Sequence, residues 1–163
     1  MPKNGNGHFL TISVTQTIIG TGDNDFIVGS NGADSIDGRA GSDLIVGRLG
    51  DDILAGGKGQ LSDKFGFTIG DGHDTVTDFT PAAHDELLFS YGTWANAPST
   101  PNNLTDHWSM TTTEGHTLTA TQSGADAVFT WDTGDTVVLK NVDVSQLSTD
   151  ELHFEPSATG WMF

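Results

Sequence analysis

The sequence predicts an all-β chain in two parts: short parallel strands coiled from a nine-residue repeat, then an antiparallel β region. Three observations predict it. Residues 20–55 repeat every nine residues, with glycine first, aspartate sixth and a large aliphatic eighth in each of four blocks. That unit is too short for a helix pair and fits six residues of turn and three of strand. Downstream, residues 108–140 hold strand-like runs separated by short Gly/Asp turns.

The elements follow in order. Residues 9–19 alternate partly, and Thr17-Ile18-Ile19 is in phase with the blocks, which predicts an N-terminal cap strand within residues 1–19. The four blocks are Gly20-Thr-Gly-Asp-Asn-Asp-Phe-Ile-Val28, Gly29-Ser-Asn-Gly-Ala-Asp-Ser-Ile-Asp37, Gly38-Arg-Ala-Gly-Ser-Asp-Leu-Ile-Val46 and Gly47-Arg-Leu-Gly-Asp-Asp-Ile-Leu-Ala55. In a three-residue strand the middle side chain points away from its neighbours, so Ile27, Ile36, Ile45 and Leu54 face a thin core. Two blocks make one coil, and the turns stack in two columns, odd blocks on one edge and even blocks on the other. The fifth block is irregular: Gly56-Gly-Lys-Gly59 starts in phase, and a two-residue insertion places Asp63 in the sixth-place role. Phase returns with Asp74 sixth and Val76 eighth, giving a repeat region over 20–90. Residues 94–106, rich in Pro, Asn and Ser, read as a loop. Within the last segment, 91–163, strands are expected at 108–113, 117–122, 127–131 and 136–140, with a helical turn at 145–150. This segment is expected to cover one open end of the coil.

In block one the residues flanking the core aliphatic are Phe26 and Val28, and in block three Leu44 and Val46. All four are expected to point outward on one sheet. Such an apolar patch is one that monomers avoid, so a covering element is expected there.

Stacking brings the sixth-place aspartates together, Asp25 over Asp43 and Asp34 over Asp52. At a strand spacing of about 4.8 Å these carboxylates repel and need a counter-charge. A hard cation taking about 6–8 oxygen ligands answers this, because glycine-rich turns expose backbone carbonyls beside the carboxylates. The expected cofactor is Ca²⁺, several ions. A solvated acidic face is the other meaning of clustered carboxylates, and the strict phase opposes it.

The blocks resemble the GGxGxDxUx nonapeptides of the RTX family, hemolysin-type calcium-binding repeats. The resemblance implies a right-handed parallel β-roll followed by a C-terminal antiparallel β capping region. It also implies the ligand sets. One turn gives its second and fourth carbonyls and its aspartate; the turn two blocks later gives its first and third carbonyls and its aspartate. One implied site uses Thr21, Asp23, Asp25, Gly38, Ala40 and Asp43; the next uses Ser30, Gly32, Asp34, Gly47, Leu49 and Asp52. The chain departs from the pattern at the second place, where Thr21, Ser30, Arg39 and Arg48 replace glycine, and at Asp23 in the fourth. The stretch 63–88 resembles the segment that closes many such rolls: Asp63-Lys-Phe-Gly-Phe67, Gly70-Asp-Gly-His-Asp-Thr75, Asp78-Phe79 and Asp85-Glu-Leu87. It adds Asp63, Asp74 and Asp78 to the metal candidates.

Composition bounds function. Net charge is −16 over 163 residues, and 13 of the 22 acidic residues fall between 20 and 90. About four to six calcium ions would offset roughly half or more of that excess. So acidic a chain repels nucleic acid and anionic membranes. There is no cysteine, hence no disulfide or cysteine-based metal site, and no apolar run long enough for a membrane helix. The first seven residues lack the apolar core of a signal peptide. The resemblance implies export instead by type I secretion machinery reading an uncleaved C-terminal signal, and so an extracellular protein. Residues 150–155 and the end Trp161-Met-Phe163 resemble such a signal loosely.

The six histidines are scattered, and no H-E-x-x-H or G-x-S-x-G pattern occurs. His73, inside a candidate calcium turn, is expected to face solvent. Gly56-Gly-Lys58 is followed by glycine and is not a phosphate loop. The expected function is therefore non-catalytic: a calcium-binding domain that folds on the ion after secretion. The alternative is a carbohydrate-binding accessory module of a polysaccharide-modifying enzyme such as an alginate epimerase, with a polysaccharide as partner. That reading needs Trp94, Trp108, Trp131 and Trp161 on a surface; the opposing expectation puts them in the C-terminal core.

Overall fold

The structure, a computed structural model, describes residues 14–57, 59, 61–90, 107–148 and 150–155. Expectations for residues 1–13, Lys58, the 94–106 loop, Trp94 and the end 161–163 lie outside the described residues.

Nine-residue spacing sets the first five strands: β1 (Thr17–Ile19), β2 (Phe26–Val28), β3 (Ser35–Asp37), β4 (Leu44–Val46) and β5 (Ile53–Ala55). Then come β6 (Lys64–Phe67), β7 (His73–Val76), β8 (Glu86–Ser90), β9 (His107–Thr111), β10 (Thr117–Ser123), β11 (Asp126–Trp131), β12 (Thr136–Leu139) and β13 (Leu152–Glu155). Two single turns of 3₁₀ helix, Pro81–Ala83 and Val144–Gln146, interrupt them. The second begins one residue before the expected helical turn, because Asp143 caps it in a capping box with Gln146.

Alternate strands pair in parallel, with the eighth-place residues opposite one another: Ile18 with Ile36, Ile36 with Leu54, and Ile27 with Ile45. One sheet has eight strands in the order β1-β3-β5-β7-β12-β11-β10-β9, and the other five in the order β13-β8-β6-β4-β2. Ile27, Ile36, Ile45 and Leu54 are all buried between them.

The last segment does more than sit on an open end. β12 joins β7 in parallel and β13 joins β8 in parallel, so both sheets run from the coil into the last segment. β9 to β12 are antiparallel neighbours, as the Gly/Asp turns predict. Phe89 on β8 ties the layers together. Its ring centroid lies 5.4 Å from that of Phe129 and 6.3 Å from that of Trp131, both on β11, and 5.8 Å from that of Phe154 on β13. Trp131 is buried, and Trp108 packs on Phe154 at 5.7 Å.

The outward-pointing residues of β2 and β4 divide. Val46 is buried and Val28 and Leu44 are half-buried, whereas Phe26 is 51% exposed. The reason is position: β4 has β6 beside it, and β2 is the edge strand.

Candidate metal centre

The sixth-place aspartates form two hydrogen-bonded columns. In the odd column the Asp25 N–H donates to Asp43 Oδ1 at 2.8 Å, the Asp43 N–H to Asp63 Oδ1 at 2.9 Å, and the Asp63 N–H to Asp85 Oδ1 at 3.0 Å. In the even column the Gln16 N–H donates to Asp34 Oδ1 at 2.7 Å, the Asp34 N–H to Asp52 Oδ1 at 2.7 Å, and the Asp52 N–H to Asp74 Oδ1 at 3.0 Å. Each carboxylate thus reaches one coil, or two turns, back along the chain. The parallel register fixes this, since each sixth place lies one residue before a strand, except Asp74, which lies within β7.

Glycines admit the turns to one another. A Cβ on Gly20 would lie 2.5 Å from the Gly38 carbonyl oxygen and 2.8 Å from Asp25 Oδ2. One on Gly41 would lie 2.6 Å from the Asp23 carbonyl oxygen and 2.9 Å from Asp43 Oδ1. Two oxygen pairs from the first implied set thus lie side by side, the Gly38 carbonyl with Asp25 Oδ2 and the Asp23 carbonyl with Asp43 Oδ1. In the second, a Cβ on Gly29 would meet the Gly47 carbonyl and Asp34 Oδ2, and one on Gly50 would lie 2.7 Å from the Gly32 oxygen. Thr21 and Ser30 each present an N–H to the carboxylate of their own turn. Ala40 and Leu49 lie on exposed turns. Asp78 stands apart: its carboxylate accepts the N–H groups of Gly56 at 3.0 Å and Gly57 at 2.9 Å, outside both columns. His73 is exposed, with Nδ1 3.0 Å from Thr136 Oγ1.

Three further residues were not among the metal candidates. Gln16 takes the sixth place one block before the first glycine. Asp85 continues the odd column, but two-residue insertions stretch its spacing from Asp63 to 22 and hide the period. Asp71 is buried off the columns, with Oδ2 accepting the Thr68 N–H at 2.7 Å.

Burial works against the charge the columns carry. It pushes the Asp52 and Asp63 carboxyls up to about 6, Asp71 to about 7 and Asp74 to about 8, with neighbouring carboxylates adding to the rise. Asp43 and Asp85 are raised for the same first cause. Asp43 Oδ2 and Asp52 Oδ2 are buried and have no hydrogen-bond partner. An acceptor left in this state is costly and calls for a counter-charge. A calcium ion fits, because the surrounding donors are carboxylate and carbonyl oxygens. Among the described residues no three His, Asp or Glu side chains converge, so an ion held here draws on backbone carbonyls.

Comparison with known proteins agrees with this geometry. Residues 19–54 match the family model of the RTX calcium-binding nonapeptide repeat, in four copies. No curated protein sequence matches the chain. Among solved structures, the AlgE6R3 subunit of the Azotobacter vinelandii mannuronan C5-epimerase is similar, at 24% identity and a TM-score of 0.55, over 94% of this chain and 85% of that one. The AlgE6R2 subunit of the same enzyme gives 23% identity and a TM-score of 0.48, over 85% of this chain and 92% of that one. The extracellular lipase LipA of Serratia marcescens gives 23% identity and a TM-score of 0.46, over 83% of this chain. This chain spans only 20% of the lipase. The AlgE6R3 likeness is one of fold. Residues 19–54 are thus four RTX calcium-binding nonapeptide repeats, coiled here into a parallel β-roll.

Proposed function

We propose that this chain is a non-catalytic calcium-binding module whose roll folds when the ion arrives, after export by a type I system into a calcium-rich exterior. The observation that carries the reading is the pair of buried, unpartnered oxygens, Asp43 Oδ2 and Asp52 Oδ2, set in columns of like charge. Without a cation the columns oppose their own stacking; with one, carbonyls and carboxylates share a common partner. The assigned ligands are Asp25, Asp34, Asp43, Asp52, Asp63 and Asp74, with the carbonyls of Thr21, Asp23, Ser30, Gly32, Gly38, Ala40, Gly47 and Leu49; Asp78 ranks below them. The working division is a cap strand within 1–19, a roll over 20–90 and a capping region over 91–163 that also carries the secretion signal. Calcium titration of the chelator-stripped chain, followed by circular dichroism, tests the reading. A gain of β signal at millimolar calcium is expected; identical spectra with and without the ion would sink it.

The saccharide reading draws on the fold likeness to an epimerase subunit. Against it, Trp131 is buried and Trp108 is packed on Phe154. Saturable change in tryptophan emission on adding alginate oligosaccharides would favour it.

A further inference from the structure

The two turns that open the roll satisfy their carboxylates differently from the two that follow. In the opening turns the second-place N–H points at the aspartate of its own turn: Thr21 donates to Asp25 Oδ2 at 2.6 Å and Ser30 to Asp34 Oδ2 at 2.5 Å. Hydroxyls reach the same carboxylates, Thr21 Oγ1 at 3.0 Å from Asp25 Oδ2 and Ser30 Oγ at 3.0 Å from Asp34 Oδ1, the single Ser30 proton being shared with the nearer Val14 carbonyl. In the next two turns the second place is Arg39 at φ 77° and Arg48 at φ 76°, in the left-handed region. The Arg39 N–H leaves its turn and donates to Asp37 Oδ1 at 2.9 Å. The Gly38 carbonyl faces Gly20 and Asp25 in the neighbouring turn, and Asp43 Oδ2 is left buried without a donor.

The cause is place in the stack. The first-place carbonyls of the third and fourth turns each have an earlier aspartate to face, Asp25 or Asp34. By the nine-residue count, the sixth places before the opening turns hold Gly7 and Gln16, not aspartate. Thr21 and Ser30 therefore present an N–H inward where Arg39 does not.

We propose that the roll holds two grades of calcium site, and that Thr21 and Ser30 set the weaker grade. This rests on the calcium reading above. The stronger grade lies at Asp43 and Asp52. A Cβ on Gly38 would meet Asp43 Oδ2 and the Gly56 carbonyl oxygen together, the same pairing that Gly20 sees between Asp25 Oδ2 and the Gly38 carbonyl. The two oxygen pairs are alike, and the donors separate them. At Asp43 Oδ2 an ion displaces no hydrogen bond. At Asp25 Oδ2 it must displace an N–H and a hydroxyl, and at Asp34 Oδ2 an N–H, whose positive ends already occupy the carboxylate. Calcium therefore loads the later turns first and the opening turns last.

The experiment is isothermal titration of the calcium-stripped full chain with calcium, on the wild type and a Thr21→Gly/Ser30→Gly variant. The wild type should bind in two steps separated by at least about tenfold in Kd, and the variant should tighten the weaker step by about tenfold at unchanged stoichiometry. Glycine keeps the N–H but frees the second place to take the left-handed conformation of Arg39, which turns that N–H away; should that variant fail to fold, Thr21→Val/Ser30→Ala removes the hydroxyls alone and should tighten the weaker step by about threefold. A single step in the wild type, or a weaker step that the substitutions leave in place, would overturn the proposal. So would loss of the weaker step in the glycine variant, since the hydroxyls of Thr21 and Ser30 would then be needed as ligands beside their carbonyls. No calcium binding in any variant would remove the calcium reading itself.

Discussion

Asp43 is satisfied through one of its two oxygens: Oδ1 accepts the Asp25 N–H, and Oδ2 is buried with no hydrogen-bond partner. Asp37, six residues earlier, is exposed, and its Oδ1 holds only the Arg39 N–H. The two make a matched comparison. Asp43→Ala should cost on the order of 3–5 kcal/mol in the calcium-loaded protein, because it strips a buried charge pair. Asp37→Ala should cost about 1 kcal/mol, one hydrogen bond. Calcium stoichiometry and the melting midpoint read both, and equal effects would contradict the role given to Asp43. The raised carboxyls fix a pH dependence as well. Asp52 and Asp63 near 6 and Asp74 near 8 bind protons in the metal-free fold that the unfolded chain has already released. Stability of the metal-free roll therefore falls as pH rises through that window. Calcium-stripped protein should show more β circular dichroism at about pH 5 than at about pH 8, and calcium affinity should move the opposite way as protons compete. A stripped protein better ordered at the higher pH would refute this.

At the scale of the element, each turn depends on glycines that let two backbones meet. Gly57 has φ +121°, and a Cβ there would run into the Arg39 carbonyl. Gly70, at φ +93°, would meet nothing within 4 Å. Gly57→Ala should destabilise the calcium-loaded fold by several kcal/mol, and Gly70→Ala by only about 1 kcal/mol of backbone strain; chemical denaturation of the loaded protein separates them. This level was largely open to sequence reading, because the signal is a phase. Eighth-place aliphatics gave the core, and a spacing of 18 gave the stacking of Asp25 with Asp43, though not the N–H bond to the carboxylate that joins them. Where insertions break the phase, as between Asp63 and Asp85, the register became visible only in the pairing of β6 with β8. The left-handed Arg39 and Arg48 left no trace, since arginine is not a residue that marks positive φ. Nor could alternation alone tell that Val46 is buried while Phe26, in register with Leu44 on an edge strand, is not.

For the molecule as a whole, the question is whether the roll and the antiparallel segment fold together. Both sheets cross the junction. The Thr136 N–H donates to the Gly72 carbonyl at 2.9 Å and the Lys140 N–H to the Val76 carbonyl at 3.0 Å, which stitches β12 to β7. β8, the last strand before the segment, carries Phe89 into the cluster with Phe129, Trp131 and Phe154. Unfolding the roll would therefore remove one wall of the aromatic core. Large buried aromatics contribute on the order of 3–5 kcal/mol each by truncation, so the antiparallel strands lose much of their support when that wall goes. Ion loss in the roll should then be felt at Trp131, which lies on β11 outside the repeat blocks. A variant with Trp94, Trp108 and Trp161 replaced by phenylalanine keeps Trp131 as its single reporter. On stripping calcium its emission should shift to the red, together with the loss of β circular dichroism and at the same calcium concentration. Emission that stays blue while the dichroism of the roll collapses would show that the C-terminal strands stand alone, and that the shared sheets join two independent folding units.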